Sequence, residues 1–213
     1  MMGDLMKVIA ATGNKGKVME IKKILGDGFD VVSMKEAGCF IDVEETGTTF
    51  EENALIKAES IAKYISENNI LDEFCVIADD SGLCVDYLNG APGIYSARFA
   101  GEGATDEDKY NKLLSLLEGV TPDKRKARFV CCAAAVFGGG AELHVLGECE
   151  GIITDAPQGE GGFGYDPVFY LKQFGRTMAE VSTEQKNEVS HRGIAFRKLA
   201  EKITEHLANK EST

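Results

Sequence analysis

The sequence predicts an α/β protein with a mixed central β-sheet. Two observations predict it. Apolar runs of strand length alternate with helical periodicities along the first part of the chain. Further on, two long apolar runs are joined by Gly138-Gly139-Gly140, the pattern of an antiparallel hairpin. Alternation implies parallel pairing with helical crossovers, and the hairpin adds antiparallel strands to the same sheet.

In chain order, residues 6–11 (MKVIAA) read as a short buried strand closed by Thr12-Gly13-Asn14. Val18, Ile21, Ile24 and Leu25 then fall at helical spacing from Lys15 to Leu25. Residues 29–34 (FDVVSM) form a second strand, followed by the polar loop DVEETGTT. Thr49 with Glu52 has the spacing of a capping box, and Leu55, Ala58, Ala62 and Ile65 give the next helix its buried stripe through about Ile65. Asn53 and Lys57, four apart, share another face of that helix.

Residues 74–78 (FCVIA) are a buried strand that ends at Asp79-Asp80, with Ser81-Gly82 turning the chain. Thr105 and Asp108 open a helix carrying Tyr110, Leu113, Leu114 and Leu117, closed by Gly119. The hairpin strands are 128–137 and 142–149, and residues 151–170 are Gly-rich, ending in an aromatic strand, YDPVFY. Ser190 is the N-cap of a last helix with Phe196, Leu199, Ile203 and Leu207 on its apolar face. The length fits one large domain or two intimate lobes, read as a single unit over residues 1–208, with 209–213 as a loose tail.

Composition narrows the function. The 213-residue chain is 44% hydrophobic and 27% charged, the balance of a globular protein. A net charge of −12 disfavours loose binding to nucleic acid or anionic membranes, so neither is expected as a partner. An anionic ligand would need local cations or a metal. The six cysteines include no C-x-x-C pair and only three histidines are present, so zinc-ligand spacing is absent. Most of the cysteines lie in apolar runs, which points to thiols in a reducing compartment. The N-terminal stretch lacks the n-region of a signal peptide, and no apolar run approaches the ~18 residues of a membrane span. A cytoplasmic location is the resulting expectation.

Four constellations carry chemistry. TGNKGK (12–17) leaves a strand and enters a helix, where backbone N–H groups and lysines make an anion site; an ordinary βα turn with surface lysines is the alternative. It is not a Walker loop, because spacing and Val18 both fail the motif. The second is the acidic set of Glu44, Glu45, Asp79 and Asp80. Neighbouring strand residues face opposite ways, so both aspartates reach one cleft only if the chain turns at Ser81-Gly82. A Mg²⁺ ion would relieve their repulsion, the alternative being two solvated turn carboxylates.

The third is GEGGFGYD (159–166), which contains a literal G-x-G-x-x-G but is followed by no helix, so it is not a dinucleotide fingerprint. Its glycines allow a flat ligand to approach, with Phe163 and Tyr165 as stacking faces or as core aromatics. The fourth is Lys186 with Ser190-His191-Arg192, where cations at a helix start oppose the macrodipole and point to an anionic or polar ligand; His191 alone reads equally as a surface residue.

In their order along the chain, TGNKGK, EETGTTFEENALIKA, ADDSGLCVDYLNGAPGIYSARFAG, GGFGYDPVFY and SHRGIAFRKL resemble the dITP/XTP pyrophosphatase family, of the bacterial type. The resemblance spans roughly residues 7–207. It implies an elongated α/β homodimer of two lobes with the active-site cleft between them, and Mg²⁺-dependent hydrolysis of ITP, dITP and XTP to monophosphate and pyrophosphate. Thr12, Gly13, Asn14, Lys15, Gly16 and Lys17 match the family's triphosphate loop. Asp80 matches its general base, and Glu44 or Glu45 with Asp80, and Asp79 beside it, its metal carboxylates. Asn53, Lys57, Ser81, Phe163, Gly164, Tyr165, Asp166, Lys186, His191 and Arg192 match substrate-contacting positions. Two other readings stand beside this one: a related pyrophosphatase for other modified nucleotides, and a nucleotide-binding protein without turnover.

Overall fold

A computed structural model describes residues 6–211. Seven strands form one sheet in the order β2-β1-β3-β4-β5-β6-β7. They are β1 (Lys7–Ala10), β2 (Asp30–Ser33), β3 (Phe74–Val85), β4 (Lys126–Phe137), β5 (Glu142–Ile153), β6 (Phe169–Leu171) and β7 (Arg176–Thr177). The helices are α1 (Lys15–Leu25), α2 (Phe50–Glu67), α3 (Asp106–Leu116), α4 (Thr183–Val189) and α5 (His191–Glu211). β1 runs parallel to both β2 and β3, whereas β6 is antiparallel to β5 and to β7, so the sheet is mixed as the alternation and the hairpin require. Among the described residues no helix is long and apolar enough to cross a membrane. The six cysteines are buried thiols; burial pushes Cys75 up to about 12 and Cys132 to about 11.

The chain divides into two compact units, and β3, β4 and β5 each change unit within their length, β3 at the Asp80–Ser81 step. The first unit takes the chain up to Asp80, with Cys131–Gly147 and the residues from Arg192 on. Its sheet is covered on both faces, which is why its strands are continuous apolar runs. Val8 and Ala10 of β1 and Ile77 of β3 pack with Val18 and Ile21 of α1 and with Phe196, Leu199 and Ile203 of α5. The residues between them, Ile9 and Val76, pack with Ala58, Ile61 and Ile65 of α2. The period-two alternation of the strands thus assigns each helix its face.

The second unit comprises Ser81–Val130 and Glu148–His191. Leu83 and Val85, Leu113 and Leu117 of α3, Phe129 and Phe169 form its core, the two phenylalanine rings 4.6 Å apart. Arg125 of this unit is 5% exposed, and its guanidinium donates to the carbonyls of Leu117, Val120 and Thr154 at 2.7–3.0 Å. It thereby ties the segment after α3 to the end of β5 and gives a buried guanidinium the partners that burial demands.

Several elements differ from the sequence expectation. β3 does not end at Ala78, and Ser81-Gly82 is not a turn: the strand runs through Asp79, Asp80, Ser81 and Gly82 to Val85. β5 continues past Cys149 to Ile153. Of YDPVFY only Phe169-Tyr170 are strand; Asp166–Val168 is a 3-10 turn, since Pro167 offers no ladder N–H. α4 was not foreseen, although Ser182 and Gln185 form a full capping box at its start. Ser190 lies between α4 and α5 in extended backbone, φ −68° and ψ 151°. The Thr49 box is half formed: Thr49 accepts the Glu52 amide, but the Glu52 carboxylate returns to the amide and hydroxyl of Thr48. The full box expected at Thr105 and Asp108 is present. α5 is helical through Glu211, so residues 209–211 of the expected tail are ordered helix, and 212–213 lie outside the described residues.

Candidate active site

In the first unit, the loop after β1 is organised by short polar contacts. The Thr12 hydroxyl accepts the Asn14 amide at 3.2 Å, and the Asn14 side chain accepts the amides of Gly16 and Lys17 at 2.8 and 3.2 Å. Two of the N–H groups expected to cradle an anion are therefore engaged by the N-cap, so the ammonium groups carry most of the loop's attraction for a phosphate. Gly13 and Lys15 are exposed. A Cβ at Gly16 would stand 3.1 Å from the Asn14 side-chain oxygen Oδ1, a tight contact against the N-cap. Thr12, Gly13, Lys15 and Lys17 line one side of a 1080 Å³ cavity, with Glu45, Lys57 and Asp79 also on its wall.

The two aspartates stay in the strand and serve different partners, as alternation dictates. Asp79 is 3% exposed. Its carboxylate accepts from Lys17 Nζ at 3.1 Å and from the Arg192 guanidinium at 3.1 and 3.3 Å. Burial alone would push the Asp79 carboxyl up; the charges of Lys17, Arg192 and Lys57 outweigh it and hold the group well below the usual carboxylate range. Arg192 is itself 2% exposed and donates from its other arm to Glu20 at 2.9 Å. Asp80, 7% exposed, accepts from Asn53 Nδ2 at 3.0 Å. The Asn53 carbonyl oxygen accepts the Gly47 amide at 2.8 Å, and Gly47 is obligatory there, since a Cβ would lie 2.6 Å from the Glu52 side chain. One turn along α2, Lys57 donates to Glu45 at 2.9 Å and to the Asp79 carbonyl at 2.5 Å.

The expected four-carboxylate metal set is therefore not gathered. Asp79 faces two cations, Glu44 is exposed, and among the described residues no group of three or more His, Cys, Asp or Glu side chains is placed to hold an ion. Glu45 is the glutamate on the cavity wall. Mg²⁺ is commonly held by one or two carboxylates with substrate phosphates and water completing its shell. Glu45 and Asp80, tied through Lys57 and Asn53 to the same strand step and helix, fit that sparse donor set.

In the second unit the glycine-rich segment surrounds Asp166, which is 2% exposed. Asp166 accepts the Phe163 amide at 2.9 Å and Lys186 Nζ at 2.5 Å, and Lys186 also lies over the Phe163 ring, 4.2 Å from its centre. Gly162, at φ +76°, is the only residue type that fits, as a Cβ would reach to 2.0 Å of the Asp166 carboxylate. Phe163 leaves 48% of its surface exposed, whereas Tyr165 is buried with its hydroxyl donating to the Ser96 carbonyl at 2.9 Å. Of the two expected stacking faces, only Phe163 is open. Lys186 sits in the last turn of α4, the favourable end for a cation, so the expected misplacement does not exist there. His191 is buried and stacks on Phe129, ring centres 4.7 Å apart. Ser81 continues β3, half-buried.

Two polar residues escaped the sequence reading. Glu20 holds Arg192 across 172 residues, a pairing with no local signal. Asp106 accepts the Gly164 amide at 2.7 Å.

Comparison with known proteins places this geometry. The Ham1 family model matches residues 8–202. A dITP/XTP pyrophosphatase of Clostridium perfringens is 48% identical over 93% of this chain and 98% of its own, and one from Caldanaerobacter subterraneus is 51% identical over 95% and 98%. Among solved structures, the Staphylococcus aureus Ham1 protein superposes with a TM-score of 0.82 at 42% identity, covering 94% of this chain and 99% of its own. A HAM1 protein from Coxiella burnetii gives 0.83 at 39%, covering 94% and 100%.

Proposed function

The chain belongs to the Ham1 family, and from that premise we propose that it hydrolyses the non-standard purine nucleoside triphosphates ITP, dITP and XTP to the monophosphate and pyrophosphate. One observation of the molecule carries the reading: a single strand step sets Asp79, bound to the loop cation Lys17, beside Asp80, whose carboxylate Asn53 fixes.

Phosphoryl transfer is mostly positioning and electrostatics, and the first unit supplies both. Lys17 and Lys57, each anchored by an oxygen of Asp79, present fixed ammonium groups to the phosphates. Asp80 accepts the proton of a water as its oxygen bonds to the α-phosphorus; the bridging oxygen bond breaks and pyrophosphate leaves. Asn53 fixes the carboxylate for that transfer. Mg²⁺, held by Glu45 and Asp80, would neutralise phosphate charge and acidify the water. In the second unit, Phe163 offers the base a stacking face and Lys186 a donor to the oxo group that distinguishes hypoxanthine and xanthine from adenine. A donor left unpaired by adenine can reject it by on the order of 10⁴. A homodimer in the cytoplasm completes the proposal.

The test is product release from ITP, dITP, XTP, GTP and ATP, with and without Mg²⁺. Pyrophosphate from the first three, dependent on Mg²⁺ and far above ATP, is expected. Equal rates across bases, orthophosphate as the product, or binding without turnover would each overturn the reading.

A further inference from the structure

We propose that Asp106 is a positioning residue for the nucleotide base: from the first turn of α3 it holds the Gly164 amide and so fixes the backbone that displays Phe163. The inference rests on the function proposed above and adds a residue to its base-binding half.

The segment 159–166 contains four glycines, and Gly159, Gly162 and Gly164 occupy left-handed backbone at φ +83°, +76° and +64°. Such a chain is expensive to order, at ~1–2 kcal/mol per residue and more for glycine. Two carboxylates hold it at consecutive amides: Asp166 accepts from Phe163, and Asp106 from Gly164. Asp166 lies three residues along the chain and is itself held by Lys186 of α4. Asp106 lies 58 residues away on a regular helix and anchors the Gly164 amide from outside the loop, beside the Tyr165 hydroxyl bond to Ser96. Its other oxygen accepts from Lys109 Nζ at 2.7 Å, one turn further on, which fixes its rotamer. Asp106 is not needed for capping, because Thr105 and Asp108 already form the reciprocal box. The product is a half-exposed ring on a backbone pinned at its own amide and the next, preorganised for a flat ligand.

The chain has no tryptophan, so Phe163→Trp places a single fluorophore at the displayed position. Asp106→Ala should raise KM for ITP by ~5–20-fold, the ordering of one or two residues, with kcat within about twofold of wild type. In the Phe163→Trp background, without nucleotide, it should lower the steady-state anisotropy. Asp106→Asn keeps an oxygen for the Gly164 amide and should recover most of both effects, and Lys109→Met, which frees the Asp106 rotamer, should change both in the same sense as Asp106→Ala but less. Unchanged KM and anisotropy in Asp106→Ala, a fall in kcat at constant KM, or no recovery in Asp106→Asn would each refute the assignment. Should Asp106→Ala fail to fold, the Asn and Lys109→Met variants decide. Were wild type to hydrolyse none of these nucleotides, the functional reading would fall, and the anisotropy arm would still judge the clamp.

Discussion

The Asp79 cluster and the Phe163 loop are both polar, but they are assembled by opposite means. In the first unit, Arg192 reaches Asp79 across 113 residues and Glu20 across 172, and the Asp79–Arg192 pair at its centre is buried. In the second, Asp166 holds an amide three residues back and Lys186 is 20 residues on, while the ring they support stands half in solvent. Buried charges from distant elements exist only in the folded state, and each stays charged only while its partners are in place. The glycine loop draws its distant support from two single hydrogen bonds, to Asp106 and to the Ser96 carbonyl, rather than from a cluster of buried charges. The first arrangement couples chemistry to stability; the second separates ligand binding from stability.

The largest test of that contrast is Asp80→Asn. It preserves an acceptor for neighbouring donors but not a proton acceptor for water, so turnover of ITP should fall by ~10²–10⁴ with the thermal midpoint little moved. Near wild-type turnover in the purified variant would sink the role given to Asp80. Next is Arg192→Leu, which strands Asp79 and Glu20 without their shared cation. Breaking such a buried pair costs ~3–5 kcal/mol, and for a chain of this size the midpoint should drop by roughly 6–20 °C. A midpoint unchanged, with only base preference altered, would instead make Arg192 a substrate contact, as first expected from its place in SHR.

Phe163→Ala should behave in the reverse sense. Losing a stacking face costs ~1–3 kcal/mol of binding, so KM rises while calorimetric unfolding stays close to wild type; a collapse in stability would erase the contrast.

The smallest effect is a pH dependence. Partial burial pushes the Asp106 carboxyl up, but hydrogen bonds from Lys109 and the Gly164 amide, with the Lys109 charge, hold it below its ordinary value. A folded pKa below the unfolded one means stability present above about pH 4 and lost as pH falls through the folded value. For so exposed a group this amounts to at most ~1 kcal/mol. Asp79, held lower still by three cations, should keep its charge to more acid pH. Comparing acid unfolding of wild type with Asp106→Asn should show a small gap at pH 7 that closes below pH 4; a gap that widens on acidification contradicts the sign.

Local signals survived intact into the structure. The β1–loop–α1 segment, both capping threonines and the hairpin at Gly138–Gly140 follow from spacing and residue type, and they appear where spacing puts them. The errors share a cause. Asp79-Asp80-Ser81-Gly82 has the composition of a turn, and an isolated peptide would turn there; the ladder and the cations of α1 and α5 keep it strand. Of the two readings open for Tyr165, stacking face or core aromatic, the structure takes the second, and His191 is buried against Phe129 rather than on the surface.

What the sequence alone determined is the list of parts: the mixed sheet, the lysine loop, the acidic pair and the glycine-rich aromatic segment. These depend on periodicity and turn chemistry, which act over a few residues. Tertiary structure decided which charge meets which. It gave Asp79 to Lys17 and Arg192 and Asp80 to Asn53, chose Glu45 over Glu44 for the cavity wall, and recruited Glu20 and Asp106. Those choices are energetic only once water is excluded, because a carboxylate in solvent has no preference among distant partners strong enough to be written in local sequence.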